Sequence, residues 1–211
     1  MGQQGCGVGR GLLQAGLSVA ETAVVAAGID ALWRGRSLSP REIWPQDPVV
    51  AEEVFASLAA AGRAEVDDAG RVFGVHGFTL SHTRHTIFHG DVKVHTWCAF
   101  DSIGIPAAFG LDATAATDCP TCGRGLTVAI SGGVPEQSVP AGELAQWLPE
   151  AAATGDLMGK FCANADIYCS RAHLEQRIDT ATAAGSVLTV ADAARVGREV
   201  WADVAGLAEV P

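Results

Sequence analysis

Positive charge is scarce in this 211-residue chain. Its 14 Lys and Arg are outnumbered by 24 Asp and Glu, for a net charge of −10. No basic stretch stands out against that balance. Neither a nucleic-acid backbone nor an anionic membrane is therefore expected as the main partner. A long uninterrupted apolar run is missing too. Residues 12–33 are apolar but carry Gln14, Glu21 and Asp30. That excludes a membrane span and a signal peptide, and the cytoplasm is the expected location. Aromatic residues make up only 6%, and no internal repeat is visible. Hydrophobic residues nevertheless reach 48%, enough for a real core in one medium domain or two unequal ones. In a reducing compartment the six cysteines are expected mostly as thiols rather than as a disulfide framework.

The organisation reads as α+β. Residues 1–11 are rich in Gly and Gln and are expected to be disordered. Residues 12–76 read as a small winged-helix-like domain. Leu13, Leu17, Ala20, Val24, Ala27 and Ala31 recur at helical spacing, predicting an amphipathic helix. Ser39-Pro40 and Asp47-Pro48 are start signals for two more helices, the first ending near Trp44 and the second covering 48–61. Two short apolar runs, Ala64–Val66 and Val72–Val75, flank an Asp/Gly turn and predict a hairpin. Winged helices often bind DNA, but the third helix here carries Glu52 and Glu53 and no cation.

Residues 77–211 are expected to form a catalytic domain with a mixed or antiparallel sheet and flanking helices. Strands are predicted over 78–80, 86–88, 92–96, 113–117, 126–130 and 187–188. An extended segment is predicted over 161–168. Helices are predicted from about residue 98, broken or bent near Gly104 and Pro106, and over 141–147 and 173–184. A last helix is expected behind Thr189 and Asp192, with Val196, Val200, Val204 and Leu207 on one face.

The most informative motif is Trp97-Cys98-Ala99-Phe100-Asp101. If a helix already covers Cys98, the i,i+3 spacing puts the thiol and the carboxyl group on one face. A soft metal ligand then sits beside a proton carrier. Should Cys162, in Phe161-Cys162, fold back onto that face, the site holds two thiolates and one acid. Cleavage of a carbon–mercury bond is one of the few reactions needing that set. Mercury prefers thiolate. Two bound thiolates push electron density to the metal-bound carbon, and an acid must protonate it as it leaves. Asp101, its pKa raised by an apolar pocket of Trp97, Phe100 and Phe161, suits that task. The plainer readings are a small buried hydrophobe for Cys98 and a helix-start carboxylate for Asp101.

With these motifs the chain resembles the organomercurial (alkylmercury) lyases over nearly everything after residue 11. The first active-site segment matches Trp97-Cys98-Ala99-Phe100-Asp101 with Pro106-Ala107 following. The second matches Phe161-Cys162, and the stretch with Arg34-Gly35-Arg36 and Ser39 is similar to the family's N-terminal domain. The resemblance implies a catalytic set of Cys98, Asp101 and Cys162, which would also hold mercury as substrate and product. It implies no organic cofactor, with hydrocarbon and Hg(II) as products. Small thiols or a mercuric reductase would accept the ion. A monomer or weak homodimer is expected. The alternative is a non-catalytic protein or sensor for Hg, Cu or Zn on the same scaffold.

The sequence departs from the family pattern in two places within the catalytic part. Ala163 stands where some members carry another cysteine, and Cys122 adds a CxxC to Cys119. Cys119 and Cys122 look like half a zinc knuckle, a secondary thiol site whose remaining ligands would come from Cys162, Cys169 or distant histidines. The preferred reading is a turn with two free thiols. Cys169 reads as structural and Cys6 as a reactive thiol in a disordered segment. His82, His85, His89 and His95 gather around one hairpin and read as surface histidines. His76 and His173 stand alone.

Overall fold

A computed structural model describes residues 17–142, 144–150 and 157–210. The expectations for residues 1–11, for Cys6 and for Leu13 lie outside them. Three helices come first: α1 (Val19–Trp33), α2 (Pro40–Ile43) and α3 (Pro48–Ala60). Each start is capped by a side chain, at α2 and α3 the expected one. Ser18 and Glu21 form a capping box on α1, Ser39 and Glu42 form one on α2, and Asp47 accepts from the Val50 N–H on α3. Helix α3 buries Ala51, Val54, Phe55 and Leu58, a stripe at i, i+3, i+4 and i+7. Helix α1 is less one-sided than predicted. It buries Val24, Val25, Ala26, Ile29, Ala31 and Leu32, while Ala20 is exposed.

The hairpin of β1 (Ala64–Val66) and β2 (Val72–Val75) follows. Strand β2 also pairs with β3 (Phe78–Thr79), and β3 with β5 (Val92–Thr96). With β4 (Thr86–His89), β6 (Ala113–Asp118), β7 (Gly125–Ser131) and β8 (Val134–Val139), one antiparallel sheet runs β1-β2-β3-β5-β4-β6-β7-β8. Hydrogen bonding is thus continuous across residues 76 and 77.

Helix α4 (Ala99–Phe109) lies on this sheet and packs most extensively against α7 (Val190–Ala205). Contrary to expectation, α4 runs unbroken through Gly104 and Pro106. Gly104 serves close approach instead. A Cβ on Gly197 of α7 would sit 2.2 Å from the Gly104 Cα, so the helices touch backbone to backbone. Trp201 fills the adjoining space, tilted against Phe100 at 5.5 Å between ring centres. Thr189 caps α7 through the Asp192 N–H as predicted, but Leu207 lies beyond the helix and is exposed.

A second sheet has the order β10-β9-β11, with β9 (Ala145–Pro149) between β10 (Ile167–Tyr168) and β11 (Gly185–Leu188). Three expectations fail here. Residues 145–149 are strand, not the helix expected over 141–147. Their first four side chains are all buried, so no period marks them, and pairing on both sides decides. Residues 161–168 are not extended throughout. A short helix α5 (Leu157–Lys160) leads into a 3-10 turn, Cys162–Asn164, and only two residues of strand follow. The helix expected over 173–184 is only α6 (Arg171–Glu175). There the Asp179 carboxylate accepts from the Ala181 N–H and the Thr182 hydroxyl, a local turn that competes with helix.

Candidate active site

Cys98 stands at the junction of β5 and α4. It is the N-cap of α4, in extended conformation (φ −145°, ψ 172°), and not part of the helix. The i,i+3 relation with Asp101 therefore works through a capping box. The Cys98 N–H donates to Asp101 Oδ2 at 3.1 Å, and the Asp101 N–H points back at the Cys98 sulfur. Thr96 fixes the approach by donating its hydroxyl to the Cys98 carbonyl at 3.0 Å.

Cys162 reaches the same place through its 3-10 turn. The Ala99 N–H donates to the Ala165 carbonyl at 3.2 Å, and the Ala165 N–H to the Cys162 carbonyl at 3.3 Å. Two backbone bonds thus connect the first turn of α4 to the Cys162 turn. The ligand atoms of Cys98, Asp101 and Cys162 all lie within 4.8 Å of one another. Relative exposures are 0%, 4% and 6%, so the three groups share one enclosed site.

Burial sets their protonation. It raises the Asp101 pKa to about 7, against hydrogen bonds from the Cys98 side chain and backbone that lower it. Burial also pushes the Cys98 thiol well above its ordinary value, reinforced by its hydrogen bond with Cys162 and the nearby Asp101 charge. The resting state near neutrality therefore holds a protonated Cys98 beside a carboxyl group that is partly protonated.

A narrow cavity with room for about one water molecule adjoins Asp101 and Cys162. Trp97, Phe100 and Phe161, expected as pocket walls, all line it. Phe100 and Phe161 meet edge to face at 6.1 Å. The Trp97 indole N–H donates to Glu65 at 2.6 Å, tying this wall to β1.

Sequence reasoning missed His76, Gly77, Leu157 and Trp201, which line the same cavity. Gly77 has φ +92°, and a Cβ there would stand 2.8 Å from the Asp101 Cγ. Only glycine leaves the carboxyl group its place. His76 is buried and held neutral, its pKa lowered by burial and Arg63 to about 4. The Trp201 indole N–H donates to the His76 carbonyl at 3.0 Å, joining α7 to this turn. The Gly after His76 is a visible turn signal, but Trp201 arrives from 125 residues away and leaves no local trace.

The remaining candidates separate into two groups. The four hairpin histidines are individually partnered: His85 with the Thr117 hydroxyl at 2.8 Å, His89 with the Asp112 carbonyl at 2.7 Å, and His82 against the His95 ring. His85 is buried rather than at the surface. Cys119 and Cys122, by contrast, meet Cys169 and His173, so neither of the latter stands alone.

A sequence model of the alkylmercury lyase (MerB) family matches residues 78–202, more than half of the chain. The chain is 29% identical over 120 residues to the alkylmercury lyase of Pseudomonas putida, covering 56% of this chain and 55% of that protein. It is 27% identical over 153 residues to that of Staphylococcus epidermidis, covering 72% and 68%. With that of Streptomyces lividans it shares 26% over 172 residues, covering 79% and 76%. The match thus spans about half the length of the Pseudomonas relative and more of the others. The mercury-bound form of MerB2 has the same fold, with a TM-score of 0.81 at 17% identity over 92% of this chain and 95% of that one. The continuous family match, on the mixed α+β fold with its large antiparallel sheet, establishes that the chain belongs to the alkylmercury lyase family.

Proposed function

We propose that this protein is an organomercurial lyase that cleaves carbon–mercury bonds by protonolysis. The observation that carries the reading is the meeting of two thiols and one acid, Cys98, Cys162 and Asp101, within 4.8 Å in an enclosed apolar site.

The reaction starts from RHgX and two thiols. Sulfur of one cysteine displaces X from mercury, and the thiol proton leaves with X. Mercury bound to sulfur acidifies the second thiol, as metal binding to thiol releases a proton. Asp101, as carboxylate, accepts that proton. Coordination by the second sulfur then loads electron density onto the organic carbon. Asp101 delivers the proton to this carbon as the carbon–mercury bond breaks, and RH leaves. One proton ends in RH and one in HX, and Hg(II) stays on the two sulfurs. A pKa near 7 suits Asp101 to both halves of this transfer. Two small thiols, or a mercuric reductase, then take the ion by exchange and restore both cysteines.

The cavity is too small for an organic substituent at rest. Phe161, Leu157 and Trp97 are read as the side chains that move aside for it. Residues 12–76 are read as a winged-helix-like scaffold, since Glu52 and Glu53 on α3 give no cationic surface for nucleic acid. No helix among the described residues is long and apolar enough to cross a membrane. The thiol chemistry calls for a reducing compartment such as the cytoplasm.

Incubation with phenylmercury and excess small thiol should release benzene and Hg(II). A pure, fully reduced wild-type protein that releases no benzene sinks the proposal. A non-catalytic mercury carrier would bind without release and would gain nothing from the acid at Asp101.

A further inference from the structure

We propose that Cys119, Cys122, Cys169 and His173 form a second metal site, separate from the cysteine–aspartate site, that binds Zn(II) as a structural clamp. The four ligand atoms lie within 4.8 Å of one another. Cys122 Sγ stands 3.8 Å from Cys169 Sγ, and Cys119 Sγ stands 3.8 Å from His173 Nδ1. Two thiolates about 2.3 Å from one tetrahedral ion lie about 3.8 Å apart, and a thiolate and an imidazole nitrogen about 3.6 Å apart. Both cross-site distances already match that geometry. The Cys169 Sγ to His173 Nδ1 distance is 3.0 Å, so this pair opens by roughly half an ångström around an ion.

The ligands come from two places that the chain must bring together. Cys119 and Cys122 sit on the loop between β6 and β7, closed by Gly123 N–H to Cys119 carbonyl at 2.8 Å and Cys119 N–H to Arg124 carbonyl at 2.9 Å. Cys169 follows β10 directly, and His173 lies one turn further, on α6. Three cysteines and one histidine, with two ligands on a CxxC loop, are the closed donor set of structural zinc. Outer contacts hold the donors in place. The Thr121 hydroxyl donates to the His173 carbonyl at 2.7 Å, and Arg177 donates to the Pro120 carbonyl at 2.9 Å. N–H groups of Cys169, Cys122 and Thr121 and the His173 ring all face the Cys119 sulfur. The site sits at the protein surface, with Cys122 exposed, so an ion can enter.

The clamp has a consequence for the chemistry of the chain. The segment bearing Cys162 joins its sheet through a short strand, Ile167–Tyr168, paired with β9. A metal at Cys169 and His173 would pin that segment to the β6–β7 loop. It would thereby hold the Cys162 turn against Cys98. Nothing in this assignment depends on lyase activity.

The test uses the full chain, purified reduced and loaded with Zn(II) or Co(II). A Cys98→Ser/Cys162→Ser variant should keep one equivalent of zinc. X-ray absorption at its zinc edge should show three sulfur and one nitrogen neighbours. Co(II) should give the visible bands of a tetrahedral thiolate site in that variant and lose them in Cys122→Ser/Cys169→Ser. The proposal is overturned by far less than one zinc per chain, by a sulfur count of two or fewer, or by cobalt bands that require Cys98 and Cys162. A Cys122–Cys169 disulfide in the reduced preparation overturns it as well. If Cys122→Ser/Cys169→Ser does not fold, the absorption spectrum of the Cys98→Ser/Cys162→Ser protein still decides.

Discussion

Replacing Asp101 by Asn should make the protein more stable at alkaline pH. Asp101 is buried, and burial raises its carboxyl pKa from an ordinary 3.8 to about 7. A pKa raised on folding means that the folded protein prefers the protonated acid. The associated stability is present in full below the unfolded pKa and is lost as pH rises through the folded one. The window is therefore about pH 4 to 7. Across it the loss amounts to about 4 kcal/mol, at about 1.4 kcal/mol for each tenfold change in proton affinity. Asn keeps the acceptor for the Cys98 N–H and carries no charge to bury, so the variant escapes this loss. Urea unfolding of both proteins at pH 5 and pH 8, under reducing conditions, isolates the effect, because every other titrating group cancels in the difference. Between these pH values the stability difference should move in favour of Asn by about 2–3 kcal/mol. A difference that stays constant within about 0.5 kcal/mol would show that Asp101 ionises normally, and the burial argument would fail.

Three further outcomes follow from the geometry. Gly77→Ala should fold, at a strain cost of about 1–3 kcal/mol, yet lose roughly 100-fold in benzene release, because its Cβ displaces the Asp101 carboxyl; activity within twofold of wild type refutes the positioning role. Gly197→Ala should lose about 1–3 kcal/mol in urea unfolding, since the new Cβ lands 2.2 Å from the Gly104 Cα; an unchanged midpoint would deny the backbone contact between α4 and α7. Trp97→Ala should speed binding of bulky arylmercury relative to methylmercury by widening the cavity, read as a change in the ratio of the two kcat/KM values. An unchanged ratio removes Trp97 from the substrate wall.

What the sequence discloses depends on how local the cause is. Capping signals such as Ser39, Asp47 and Thr189 locate helix starts because the cap and its partner are three residues apart. The β1–β2 and β4–β5 hairpins are legible for the same reason. Strand β9 is not, because it is buried on both faces and its neighbours come from 20 to 40 residues downstream. Spacing alone identifies the Cys98–Asp101 pair, although it suggests a helical face rather than the cap that joins them. Cys162 is expected beside them only from the resemblance, and the Ala99–Ala165 and Ala165–Cys162 bonds supply the physical link. The sequence offers Cys162, Cys169 and distant histidines as partners for the Cys119–Cys122 turn, but only the tertiary fold selects Cys169 and His173 and sets them against a CxxC some 50 residues earlier.

In the proposed reaction two thiols and one acid act on a single mercury atom. A single-turnover experiment with one equivalent of phenylmercury, run in parallel on wild type and Asp101→Ala, decides whether they do. Benzene and protein-bound mercury are both counted. Wild type should release one benzene per mercury and retain Hg(II) on two sulfurs. Asp101→Ala should retain the mercury with its phenyl group attached and release almost no benzene. Equal benzene from both proteins would rule out Asp101 as the proton donor.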